Sequence, residues 1–228
     1  STRSHPMTTM QSDPATAANT GSPLDLNDVD HVRFYVGNAK QAAVFYAHTF
    51  GFQIAQYADL TTGNRDEASY LLTQGNIRLL LTSGLTPDHP ANEEVRLYGD
   101  GVKDVAFNVK DATAAYEQAI KNGGHSAYEP ITTSDEHGSV TRAGIKTYGR
   151  AIHSFVSRTD NYDLRHIKKS DDGQAVDNQG LFMPGYRNSP RLVINDFNRQ
   201  NPAGLMFVDH CVGNVEEGKM NHWVDWYE

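Results

Sequence analysis

Between Val29 and Val36 the apolar residues Val32, Phe34 and Val36 alternate with His31, Arg33 and Tyr35. That period of two predicts a strand with one buried face. Asn38 reads as a helix cap, and behind it Ala42, Phe45, Tyr46 and Phe50 fall at the i, i+3, i+4, i+8 spacing that lines one side of a helix. Gly51 can end that helix in a left-handed conformation. Two β-rich segments follow, Ser69–Thr73 and Ile77–Thr82, parted by Gln74-Gly75-Asn76. Glycine there tolerates the positive φ of a tight hairpin, so the order is that of a βαβββ unit.

The plan starts again at Gly101. Val102, Val105, Phe107 and Val109 predict a strand, Asp111 a cap, and Ala112, Ala115, Tyr116, Ala119 and Ile120 a helix stripe before Gly123-Gly124. Strand-like segments Val140–Thr147 and Ile152–Ser157, joined by a turn at Tyr148-Gly149, complete the second unit. A third start appears at Phe207. Val208-Asp209-His210 matches Val29-Asp30-His31, and Val212-Gly213-Asn214 matches Val36-Gly37-Asn38. Met220, Trp223, Val224 and Tyr227 then give another helix stripe. Between the second unit and this start, Asp160–Gly204 is rich in Asn, Asp, Gly, Lys and Arg, and reads as a linker with one compact patch at Phe182-Met183-Pro184-Gly185-Tyr186. The predicted class is α+β with tandem βαβββ modules. Residues 1–24 are expected to be a disordered tail, 25–160 an amino-terminal domain of two modules, 161–204 the linker and 205–228 the truncated start of a further domain.

Composition narrows the function. The chain has 228 residues, 38% of them hydrophobic, enough for a sizeable core. A formal charge of −8, with no Lys/Arg stripe, argues against nucleic acid as a partner. Small molecules or copies of the same chain fit better. No run of about 18 apolar residues marks a membrane span, and the polar start lacks the apolar stretch of a signal peptide. Met7 reads as a native start, preceded by Ser1–Pro6. The lone Cys211 cannot pair internally, which fits a reducing compartment, so the cytoplasm is the expected location. Gly-rich phosphate loops, Gly-x-Ser-x-Gly elbows, cysteine pairs and His-Glu-x-x-His are all missing, which sets those classes aside.

A set of strings points to a family. In order along the chain they are Val36-Gly37-Asn38-Ala39-Lys40-Gln41-Ala42-Ala43, Asp135-Glu136-His137-Gly138, Thr147-Tyr148-Gly149, Pro184-Gly185-Tyr186 and Asp209-His210-Cys211-Val212-Gly213-Asn214-Val215-Glu216. Together with the paired units, they resemble the 4-hydroxyphenylpyruvate dioxygenase family of the vicinal oxygen chelate superfamily, from about Asp28 to Glu228. Leu164–Gly180 departs from the pattern as an insertion.

The resemblance implies that the modules curl into a half-barrel. It also implies an Fe(II) site in a carboxy-terminal catalytic domain that begins within 205–228. Two histidines and a glutamate would leave three positions for a 2-oxo acid substrate and dioxygen. His210 falls at the first of those ligands, and Val212, on the same strand face, at the pocket wall. The other two ligands would lie beyond Glu228, so residues 1–228 alone are expected to be inactive. The implied reaction converts 4-hydroxyphenylpyruvate to homogentisate, in a homo-oligomer. Two alternatives stand beside it: a 4-hydroxymandelate synthase, and a non-catalytic small-molecule-binding pair of modules.

Other candidates read as structural. On its strand pattern alone His210 would be a core or edge histidine, and it is the matched string that makes it a ligand. His31 holds the corresponding place in the first unit and Asp104 in the second, in a half that the family resemblance describes as metal-free. His137 and His153 are expected to pin a turn and a strand by hydrogen bonding. Cys211 is expected to pack in the core, Trp223, Trp226 and Tyr227 to serve helix packing, and Glu216 and Glu217 to suit a helix start.

Overall fold

The computed structural model describes residues 24–160, 162, 181–189, 200 and 202–228. The expected tail, apart from Leu24, and the whole Leu164–Gly180 insertion lie outside the described residues, as does most of the expected linker.

The first module runs β1 (Leu26–Tyr35), α1 (Ala39–Phe50), β2 (Gln53–Ala58), β3 (Glu67–Gln74) and β4 (Ile77–Gly84). A short helix, α2 (Pro90–Tyr98), leads to the second: β5 (Gly101–Val109), α3 (Ala112–Lys121), β6 (His125–Asp135), β7 (Gly138–Lys146) and β8 (Ile152–Arg158). A two-residue strand, β9 (Arg187–Asn188), and a helix, α4 (Met220–Tyr227), follow. Among the described residues one sheet holds every strand, in the order β6-β7-β8-β5-β1-β4-β3-β2-β9. Each module's first strand lies parallel to its last, β1 beside β4 and β5 beside β8, and the modules join where β1 meets β5 antiparallel. The arrangement is that of the vicinal oxygen chelate half-barrel.

Caps and turns explain the element limits. Asn38 accepts the Gln41 N–H at 3.0 Å and Asp111 accepts those of Thr113 and Ala114, so both long helices begin on a side-chain oxygen. Gly75, at φ 59°, sits in the two-residue β3–β4 turn, and the Leu205–Met206 backbone lies so close that a Cβ there would collide with it.

The helices cover the outer face of the sheet. Ala39, Ala43 and Ala47 of α1 are buried over Val32, Leu72, Leu79 and Leu81. Ala112, Ala115 and Ala119 of α3 are buried near Val109, Ile145 and Phe155. The α3 stripe is the expected one. On α1 it is displaced: Phe45 is 56% exposed and Phe50 40%, because alanines let the helix sit closer to the strands than aromatic rings would.

The expectation of one buried face per strand is corrected at the centre of the sheet. Leu71 and Leu80 face inward, opposite to Leu72, Leu79 and Leu81, and are buried with Ala106, Val140 and Val156 against Leu181, Phe182 and Met183. The compact patch predicted within the linker is thus the filling of the concave side.

The third start does not form the expected strand. Residues 202–216 have no strand hydrogen bonding, since the strand that would pair beside them, as β4 does beside β1, is absent among the described residues. Cys211 is exposed rather than packed. The helix expected from Met220 does form, and it docks on the second module. Tyr227 donates its hydroxyl to His153 Nε2 at 2.7 Å and accepts that of Thr147 at 2.6 Å, while Trp226 packs beside the α3 core.

Candidate functional site

Register at the module junction sets Arg33 opposite Asp104 and His31 opposite Ala106, which brings the polar alternates of β1 and β5 together on the concave face. His31 is buried, and its Nδ1–H donates to Asp30 Oδ1 at 2.6 Å. Arg158 forms a two-pronged pair with the same fully buried carboxylate. Burial pushes the Asp30 carboxyl up, but Arg158 and His31 outweigh that and hold it well below the usual carboxylate range. Phe182 and His31 meet in a T-shaped contact, with ring centroids 5.1 Å apart. The Phe182 N–H donates to Gln56 Oε1 at 2.9 Å, and its carbonyl accepts from Arg158 Nε at 3.0 Å.

Asp104 faces a different set. The Ser154 N–H donates to its Oδ1 at 3.0 Å and the Ser154 hydroxyl to its Oδ2, while Tyr128 donates its own hydroxyl to Ser154 Oγ at 2.6 Å. Burial raises the Asp104 carboxyl above its ordinary value, opposed by His31 and by these hydrogen bonds. Burial likewise pushes the Tyr128 hydroxyl up to about 12. Arg33 pairs with Glu67, whose carboxyl is raised by burial but brought down overall to about 2 by Arg33 and His89.

This concave face does not suit a metal. Among the described residues no three His, Cys, Asp or Glu side chains converge to hold one, whereas a two-histidine, one-carboxylate iron site needs three ligands. His31 has Asp30 as its partner and Phe182 before it, and Asp104 is committed to Ser154.

His210 lies elsewhere, on the outside, with its side chain 72% exposed. Its Nδ1–H donates to Asp209 Oδ2 at 2.8 Å, the same neighbouring Asp–His bond that Asp30 and His31 make. Such a second contact orients metal-bound histidines by fixing which ring nitrogen is free. Val212 is 84% exposed, and the strand that would align it with His210 is not formed among the described residues. His153 does pin its strand, through Nδ1–H to the Val105 carbonyl at 3.0 Å. In the Glu136-His137-Gly138 turn the backbone of His137 does the pinning, its N–H donating to Asp135 Oδ1 at 2.8 Å. Sequence reasoning missed Gln56, Arg142 and Arg158, each a polar residue on a strand's inward face. Period-two placement was the available signal for Arg142 and Arg158, whereas at Gln56 the bulge after Ile54 reverses the alternation.

The profile of the Glyoxalase/Bleomycin resistance protein/Dioxygenase superfamily matches residues 28–149, and the chain belongs to that superfamily. Its curated relatives include 4-hydroxyphenylpyruvate dioxygenase of Dictyostelium discoideum, 42% identical over 87% of this chain and 50% of the relative. The proteins of that name from Tetrahymena thermophila and Caenorhabditis elegans are 38% and 37% identical, each over 87% of this chain and 46% of the relative. The chain spans about half the length of the curated relatives it matches. Among solved structures, a triple mutant of 4-hydroxymandelate synthase from Streptomyces coelicolor aligns at TM-score 0.54 and 25% identity, over 57% of this chain and 38% of that one. A hypothetical protein, BH1468, from Bacillus halodurans C-125 shares the fold at TM-score 0.51 and 17% identity, over 60% of this chain and 97% of that one. No helix among the described residues is long and apolar enough to cross a membrane.

Proposed function

We propose that this chain is part of a 4-hydroxyphenylpyruvate dioxygenase, an Fe(II) enzyme that joins dioxygen to a 2-oxo acid substrate and releases homogentisate and carbon dioxide. The observation that carries the reading is the agreement of eight curated relatives of that name, at 35–42% identity over 87–90% of the chain. In this reading the two modules of residues 26–158 are scaffold, and His210 is the first iron ligand. The Asp209 contact supports it by engaging Nδ1 and leaving Nε2 for a metal. Val212 would face the substrate once 207–212 pairs as a strand, which needs sheet partners not found among the described residues. One imidazole does not by itself make a two-histidine, one-carboxylate iron site. Cytoplasmic residence and homo-oligomer assembly belong to the same proposal, the first supported by the lone unpaired Cys211.

The test is product identification. A protein carrying this chain together with the other half of its relatives' length is incubated with 4-hydroxyphenylpyruvate, Fe(II) and air. Homogentisate is the expected product. 4-Hydroxymandelate would overturn the reading in favour of the related synthase, and recovery of unchanged substrate in favour of a binding module.

A further inference from the structure

Arg142, on β7, points its guanidinium into the concave side of the half-barrel, and its Nε is buried with no hydrogen-bond partner among the described residues. A buried charged donor left unmet is costly, and in folded proteins it marks a place where water, an ion or a ligand belongs. The cations around it are already committed. Arg33 pairs with Glu67, and Lys103 Nζ donates to Glu94 at 2.6 Å and to the Arg150 carbonyl at 2.8 Å. Arg142 Nε is therefore the donor still to be answered on this wall.

It opens onto a cavity of about 210 Å³. Leu80, Ile152, Val156 and Met183 form an apolar wall, the Tyr35 and Tyr128 rings flank it, and half-exposed Ile131 stands at the rim. The space is smaller than the roughly 300–1,000 Å³ of pockets that take drug-sized ligands. It combines an unmet Arg142 donor and an apolar wall with a polar side formed by His31, Asp104 and Ser154, whose own hydrogen bonds are already made.

We propose that this cavity binds a small organic monocarboxylate, with the carboxylate on Arg142 and the apolar body against Leu80, Ile152 and Val156. A planar carboxylate matches the guanidinium fork. Asp104 in the same wall disfavours a second negative charge, so a monoanion fits better than inorganic phosphate. The site lies in the scaffold modules and needs no iron, so it stands apart from the reading of His210. Failure of either leaves the other untouched.

The probe is phenylacetate labelled with ¹³C at the carboxylate, titrated into the 228-residue chain and followed by NMR. Saturable one-to-one binding is expected, at least tenfold weaker in Arg142→Gln and intermediate in Arg142→Lys, which keeps the charge but loses the fork. Phenylethanol, with the same body and no charge, should bind at least tenfold more weakly, and equimolar phosphate should not displace the acid. Should Arg142→Gln fail to fold, Ile131→Asp, at the exposed rim, serves the same comparison by placing a repelling charge at the mouth. Equal affinity in the folded variants, displacement by phosphate, or no saturable binding to the native chain overturns the proposal.

Discussion

Arg158, the last residue of β8, closes on Asp30 of β1 across 128 positions of sequence and ties the end of the second module to the start of the first. Both side chains are almost wholly buried, so the pair acts as a unit whose halves cannot be removed separately. Arg158→Met leaves an unanswered carboxylate in the interior and is expected to cost about 3–5 kcal/mol in urea unfolding. The double variant Asp30→Asn/Arg158→Met should recover a substantial part of that loss. Equal costs for the single and double variants would show that the pair is not the cause.

Phe182 is the corresponding apolar tie. Its ring is fully buried between His31 and Tyr186, with the Arg158 guanidinium above it. Phe182→Ala should destabilise by about 3–5 kcal/mol, as for other buried phenylalanines. Hydrogen exchange at the Phe182 amide, now protected by Gln56, should rise with it.

The contact that docks α4 is sensitive to acid. His153 is pushed below its ordinary value by burial, against the pull of the Val105 carbonyl, and its neutral Nε2 accepts from Tyr227. A histidine with a depressed folded value binds its proton more readily when unfolded. Its contribution is therefore present above the unfolded value of about 6.5 and is lost as pH falls through that value toward the folded one. Unfolding at pH 8 and pH 5.5 should show a smaller fall in stability for His153→Gln than for the native chain. An identical fall in both would remove His153 as the source.

The two α1 faces separate by substitution. Ala43 is fully buried, so Ala43→Leu should cost about 1–3 kcal/mol by overpacking. Phe45, more than half exposed, lies against the Tyr46 and Phe50 rings at the surface, and Phe45→Ala should cost about 1 kcal/mol or less. Thermal unfolding of the two variants makes the comparison.

Much of this fold was legible because its signals are local. Asn38, Asp111 and Gly75 sit where caps and a hairpin need them, and the family strings Asp135–Gly138 and Thr147–Gly149 are the β6–β7 and β7–β8 turns. β2 was not read because Gln56 holds one of its inward positions, and β6 because, as an edge strand, it carries Thr, Ser and Glu rather than alternating apolar residues. α2 was not read either, although Pro90 opens it behind His89. The α1 stripe was misplaced because hydrophobicity ranks Phe above Ala, while close packing on a sheet favours Ala. The Asp209–His210 pair was legible only as a string. The surroundings that would make it a metal site depend on distant strands, and the lining around Arg142 likewise comes from six separate segments of chain.

The central claim is that His210 begins an iron site completed by the other half of the protein. The most direct measurement is iron per chain in a protein of the relatives' full length containing these residues, purified with Fe(II) under anaerobic conditions. The native protein should hold close to one iron, His210→Ala should hold little, and His222→Ala, an exposed histidine on α4, should keep the native content. Undiminished iron in His210→Ala would contradict the account.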